Sequence, residues 1–147
     1  MEKMTKYKLL FIGDSITDVG RNRNNPDSLG KGYVAMIAKA LADRGDSEHY
    51  QLINRGISGN RIHDIAERWH SDCVSLEPDV VTMLIGINDT WHNVGDESVF
   101  ATKEGTEQFE MHYRHLLASL RKKSDARLIL MEPFVFPYPE DRKTWRI

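Results

Sequence analysis

At 147 residues with 40% hydrophobic content, the chain is long enough to bury one core and too short for two ordinary domains, so one domain over 1–147 with one site is expected. The 20 Lys and Arg nearly balance the 22 Asp and Glu, and neither sign forms a long block. That balance excludes the electrostatic footprint of a nucleic-acid or anionic-membrane binder and favours a small neutral or weakly charged ligand. The lone cysteine, Cys73, excludes an internal disulfide and a cysteine-rich metal site, which fits a reducing, cytoplasmic setting.

The first apolar run, Tyr7 to Ile12, is ended by glycine and reads as a strand buried on both faces. It is too short for a signal-peptide core, so no targeting or transmembrane segment is expected. Residues 18 to 32 are polar, rich in Asn, Arg and Gly, and read as a loop. A helix is predicted over Gly32 to Asp43, with Tyr33, Val34, Ile37, Ala38 and Leu41 on one face. Gln51 to Asn54 is a short second strand, followed by the turn Gly56-Ile57-Ser58-Gly59-Asn60 and a helix over Arg61 to Ser75. That helix turns Ile62, Ile65, Ala66, Trp69, Cys73 and Val74 inward, and Pro78 ends it.

Val80 to Ile85 is the third strand and runs into Gly86-Ile87-Asn88-Asp89. Thr106 to Lys123 is helical, burying Phe109, Tyr113, Leu116, Leu117 and Leu120, and Leu128 to Met131 is a fourth strand. Beyond Met131 come three prolines and a charged stretch with no further periodicity, which reads as an interrupted loop. Alternating helices and short apolar strands predict an α/β fold, a three-layer α/β/α sandwich around a flavodoxin-like parallel sheet. In such sheets ligands bind beyond the carboxyl ends of the strands. Gly13-Asp14-Ser15, Gly59-Asn60 and Gly86-Ile87-Asn88-Asp89 all follow strand ends and are expected to converge on one edge.

Those segments carry the parts of an acyl-transfer site. A serine hydroxyl needs a base, and the oxyanion that develops needs donors. Ser15 supplies a hydroxyl and a backbone N–H, Gly59 an N–H unobstructed by a side chain, and Asn88 an uncharged amide donor. Each also has a structural reading: Ser15 as a helix cap, Gly59 as a positive-φ turn residue, Asn88 as an Asx-turn. Three unlike groups at three strand ends favour the functional reading. Asp14 and Asp89 read as site-shaping hydrogen-bond partners. Competing motifs fail on context. Gly30-Lys31-Gly32-Tyr33-Val34-Ala35 lacks the preceding strand of a dinucleotide fingerprint, Ser58 lacks a nucleophile elbow, and no histidine pair has metal spacing, so neither cofactor nor metal is expected.

Phe11-Ile12-Gly13-Asp14-Ser15-Ile16-Thr17-Asp18 resembles the first block of the SGNH/GDSL hydrolases, Asn54 to Asn60 the second and Gly86-Ile87-Asn88-Asp89 the third. The resemblance implies the SGNH hydrolase fold, with Ser15 as nucleophile and Ser15, Gly59 and Asn88 as the oxyanion hole. Gly32-Tyr33-Val34-Ala35, Arg68-Trp69 and Trp91 are similar to the intracellular bacterial acetylxylan esterase branch, which implies a small acyl ester or acetylated oligosaccharide as substrate. Arg21, Arg23 and Trp91 are then candidates for substrate contact at the mouth. The family's last block, Asp-x-x-His late in the chain, has no match after the fourth strand; of His49, His63, His70, His92, His112 and His115, His92, three residues beyond Asp89, is the one candidate beside a site loop. The expectation is a domain lacking its final strand, catalytic His loop and C-terminal helix, which would expose an apolar edge and promote self-association, hence a possible homo-oligomer. The rival reading is a truncated or degenerate domain that binds acylated ligands without turnover.

Overall fold

A computed structural model describes residues 5–92 and 103–134. Four strands, β1 (Tyr7–Gly13), β2 (Tyr50–Gly56), β3 (Val80–Leu84) and β4 (Arg127–Met131), form one parallel sheet in the order β2-β1-β3-β4. The helices are α1 (Ser15–Asp18), α2 (Tyr33–Asp43), α3 (Ile62–Asp72), α4 (Ile87–His92) and α5 (Lys103–Arg121). Strand order and parallel pairing are those of the flavodoxin-like class. The tail from 135 onward, including Pro137 and Pro139, lies outside the described residues.

Period-two alternation along β1 sorts its side chains between two helical layers. Leu10 and Ile12 join Val81, Met83 and Ile85 under Ile62, Ile65 and Trp69 of α3 and Leu116 and Leu120 of α5. Phe11 points to the other face, where its ring meets Tyr33 of α2 edge-on, centroids 5.9 Å apart. Val34 is buried on that side too. The Trp69 indole N–H donates to Ser119 Oγ at 2.9 Å and ties α3 to α5. Among the described residues no helix is long and apolar enough to cross a membrane.

Two elements differ from their sequence reading. The helix expected to Ser75 stops at Asp72: Cys73 leaves helical dihedrals and a single 3₁₀ turn spans Val74–Leu76. Pro78 lies five residues beyond the break, and the residue before it, Glu77, sits at φ 49° in the left-handed region. Strand β2 is longer than predicted, since it pairs with β1 over its whole length despite polar Asn54 and Arg55. Asn54 is buried without penalty because its amide donates to the Thr17 and Leu29 carbonyls, 2.8 and 2.9 Å, and its Oδ1 accepts the Gly56 N–H at 2.8 Å.

Leu10 has no solvent exposure and sits in a strand paired on both sides, so its truncation leaves a cavity inside the core. Leu10→Ala is expected to cost about 2–5 kcal/mol, read as a shift in the urea unfolding midpoint at unchanged slope. Strand β4 carries Ile129, Leu130 and Met131 at 52%, 44% and 36% exposure. The 147-residue chain is therefore expected to self-associate with rising concentration in light scattering, and Ile129→Lys to weaken that association; a monodisperse monomer at all concentrations would contradict this.

Candidate active site

The site is set by where three strands stop. Gly13 of β1 lies level with Gly56 of β2 on one side and Leu84 of β3 on the other. Neighbouring strands are about 4.8 Å apart, so the three chain exits fall within roughly 10 Å. Ser15, Gly59 and Asn88 follow those exits directly.

Past β1 the chain turns at once into α1. Asp14 is its N-cap, with Oδ1 accepting the Ile16 N–H at 2.9 Å, so the cap is Asp14 and Ser15 is the first helical residue. Ser15 is exposed, whereas Thr17 and Asp18 are buried and anchor the turn. Among the described residues no hydrogen bond consumes the Ser15 N–H, one of the free donors at a helix start. Asp14 Oδ2 is buried with no hydrogen-bond partner among the described residues. Burial pushes the Asp14 carboxyl up, against the lowering by the N–H groups of Ile16 and Asp14 itself.

Past β2 the turn is bolted down residue by residue. The Ile57 N–H donates to the Gly13 carbonyl at 3.0 Å, joining the second exit to the first. The Ser58 N–H and hydroxyl both donate to Asp18 Oδ2, at 2.8 and 2.9 Å. Gly59 then crowns the turn at φ +85°, a left-handed conformation that favours glycine, with open space where a side chain would stand. Its N–H has no hydrogen bond among the described residues. Past β3, the Asn88 amide donates to the Asn60 carbonyl at 3.0 Å, and Asp89 accepts the Ile62 N–H at 3.1 and 3.3 Å. Burial pushes the Asp89 carboxyl up to about 6, outweighing the Ile62 and Asp89 N–H groups and the charges of His63 and Arg61.

Asp18 is the residue that sequence reading passed over. Burial raises its carboxyl, but donation from Ser58 and Arg23 outweighs that and holds it below the usual carboxylate range. Its sequence signal is faint: an acid closing a one-turn helix, followed by Arg21 and Arg23. Arg21, expected at the mouth, is turned inward instead. Its side chain is 6% exposed, donates twice to the Gly56 carbonyl (2.7 and 3.1 Å) and lies 3.6 Å from Asp18. Arg23, 51% exposed, pairs with Asp18 at 2.6 Å and faces solvent. Trp91 is exposed on α4. The His92 side chain lies outside the described residues, and among those described no hydrogen bond or ion pair joins a histidine to Ser15.

Strand order and site together define an α/β/α domain whose polar chemistry is gathered at the carboxyl edge of a flavodoxin-ordered sheet, with an exposed serine at the start of a helix. The sequence model of the GDSL-like lipase/acylhydrolase family matches residues 11–147, and the chain belongs to that family. An acetylxylan esterase of Geobacillus stearothermophilus is 37% identical over 131 residues, covering 86% of this chain and 59% of that protein. The uncharacterized protein YpmR of Bacillus subtilis is 28% identical over 95% of this chain and 58% of its own length. A crystal structure of the Geobacillus esterase matches with TM-score 0.78 at 35% identity, covering 98% of this chain and 68% of that one. Structures of its catalytic mutants, altered at a serine, an aspartate or a histidine, match as well. The chain thus spans about three fifths of the length of the curated relatives it matches.

Burial of Asp89 makes the stability of the fold depend on pH. The carboxyl's folded value of about 6 exceeds the ordinary 3.8, so between the two the folded chain holds a proton that the unfolded chain has released. Stability from this group therefore falls as pH rises through about 6, by up to roughly 3 kcal/mol between pH 4 and pH 7. Asp14, also raised, adds the same sign. Asp18, lowered, contributes stability that is lost only as pH falls below the ordinary carboxylate value. Asp89→Asn is expected to flatten the slope of unfolding free energy between pH 4 and pH 7; an unchanged slope would exclude Asp89 as its source.

Proposed function

We propose that this chain carries the nucleophile and oxyanion-binding part of a serine esterase that removes acetyl or other short acyl groups from carbohydrate, xylo-oligosaccharide above all. Ser15 Oγ attacks the ester carbonyl, and the Ser15 N–H, Gly59 N–H and Asn88 amide hold the developing oxyanion. A histidine takes the serine proton and passes it to the departing sugar hydroxyl, leaving an acyl-serine that water hydrolyses. In the Geobacillus esterase the catalytic mutants include an aspartate and a histidine; in this chain the Asp-x-x-His spacing occurs at Asp46 to His49 and at Asp89 to His92, and no histidine follows β4.

The observation that carries this reading is the free donor set at the level exits of β1, β2 and β3. Ser15 and Gly59 keep their N–H groups unengaged among the described residues, and Asn88 spends one amide hydrogen on Asn60 and keeps the other. The carbohydrate acetyl ester as substrate is supported by the likeness to an acetylxylan esterase. Asp14 and Asp89 shape the turns that present these donors, and Trp91, half-exposed three residues after Asn88, is the candidate for contact with sugar. The second reading, a domain that binds acylated ligands without turnover, is favoured by one fact, that no Asp-x-x-His follows β4.

The two are separated by 4-nitrophenyl acetate hydrolysis. On the esterase reading Ser15→Ala abolishes hydrolysis above background, and Asn88→Ala lowers kcat by roughly a hundredfold or more with little change in KM. Equal rates for the chain and its Ser15→Ala variant would sink the esterase reading for these residues. Calorimetric binding of acetylated xylo-oligosaccharide without turnover would then support the second.

A further inference from the structure

Arg68 sits outside the three strand-end segments, on α3, yet its guanidinium reaches two of them at once. Nε–H donates to Asn60 Oδ1 at 2.8 Å, and Nη2–H donates to the Gly13 carbonyl at 3.2 Å. Nη1–H groups donate to the Arg55 carbonyl at 2.7 Å and to Asp72 Oδ2 at 2.8 Å. The side chain is 14% exposed, so these bonds form with little competing water. Asn60, held by Arg68 through its side chain, is the residue whose carbonyl takes the Asn88 amide at 3.0 Å. Gly13, held through its carbonyl, immediately precedes Asp14 and Ser15.

We infer that Arg68 is a positioning residue of this site: backed by Asp72, it locks the exits of β1 and β2 together and, through Asn60, aims Asn88 at the oxyanion position. The inference rests on the oxyanion reading of Asn88 given above. A guanidinium suits this task because its donors lie in one plane in fixed directions, so one group satisfies four acceptors on three segments and fixes their relative placement. Lysine presents a compact charge on a flexible stem and cannot hold the same fork. The Gly13 and Arg55 carbonyls lie where the chain leaves the sheet, and Arg68 supplies donors to both there. Asp72, one helical turn further on α3, neutralises the cation and stops it swinging away. Arg68 touches no substrate; its effect reaches the reaction only through Asn60, Asn88 and the Gly13 peptide.

The test reads Asn88 directly and needs no turnover. In ¹⁵N NMR of the 147-residue chain, the Asn88 side-chain amide pair is assigned by its loss in Asn88→Asp. Arg68→Met and Arg68→Lys are expected to shift that pair and speed its solvent exchange by roughly tenfold or more, with Asp72→Asn intermediate. Arg68→Gly is expected to be restored toward wild type by added methylguanidinium and not by methylammonium. Ser119→Ala is the control: it breaks the Trp69 bond between α3 and α5, lowers Tm, and leaves the Asn88 pair in place. Where Ser15-dependent hydrolysis is measured, Arg68→Lys lowers kcat roughly ten- to a hundredfold with KM within about a factor of two. An unchanged Asn88 pair in folded Arg68→Lys, or an equal disturbance in Ser119→Ala, overturns the inference. If the Asn88 pair responds as expected while Ser15→Ala hydrolyses as fast as the parent, the positioning contact holds and the oxyanion reading fails.

Discussion

The arrangement rests on a close approach at the carboxyl edge of the sheet, where backbone crosses backbone with no room for side chains. A Cβ on Gly56 would collide with the Asp18 nitrogen and the Thr17 carbonyl carbon, and one on Gly13 would collide with the Leu84 carbonyl oxygen. Because both positions are glycine, α1 folds directly back over the end of β2. That places Asp18 where it accepts two donors from Ser58, and this brings the second turn to rest beside the first. A methyl group at either position would separate exits that the parallel register has aligned.

Polar bonds then do at this edge what apolar packing does below it. Three buried aspartates, Asp14, Asp18 and Asp89, each accept backbone N–H groups at the start or end of a site turn. Their electrostatics differ with the donors around them. Asp18 faces Ser58, Arg23 and Arg21 and is held ionised, whereas burial dominates at Asp14 and Asp89 and raises both. A carboxylate that receives several donors is a rigid strut. Where burial dominates, the carboxyl holds its proton more tightly, its pKa pushed up to about 6 at Asp89.

The continuous apolar runs of β1 and β3, the helical stripes of α3 and α5, and the glycine-ended strands were readable from composition and period. These patterns reflect local geometry, two residues per strand repeat and 3.6 per helix turn, that every residue in the segment shares. The ends of elements were less readable. The break of α3 at Cys73 comes five residues before Pro78, and the extension of β2 through Arg55 and Gly56 follows from its pairing with β1.

By itself the sequence determined the fold class, the family to which the chain belongs, and the three segments that share one sheet edge, because each is written in contiguous residues. Tertiary structure alone decided what holds those segments together. Arg21 reads like a surface loop residue and is buried against Gly56; Asp18 meets Ser58 forty residues away; Arg68 reaches Gly13 across fifty-five. Those contacts have no period and no motif. They arise because parallel strands bring distant exits side by side, and only there does a buried carbonyl or carboxylate acquire the donor it needs.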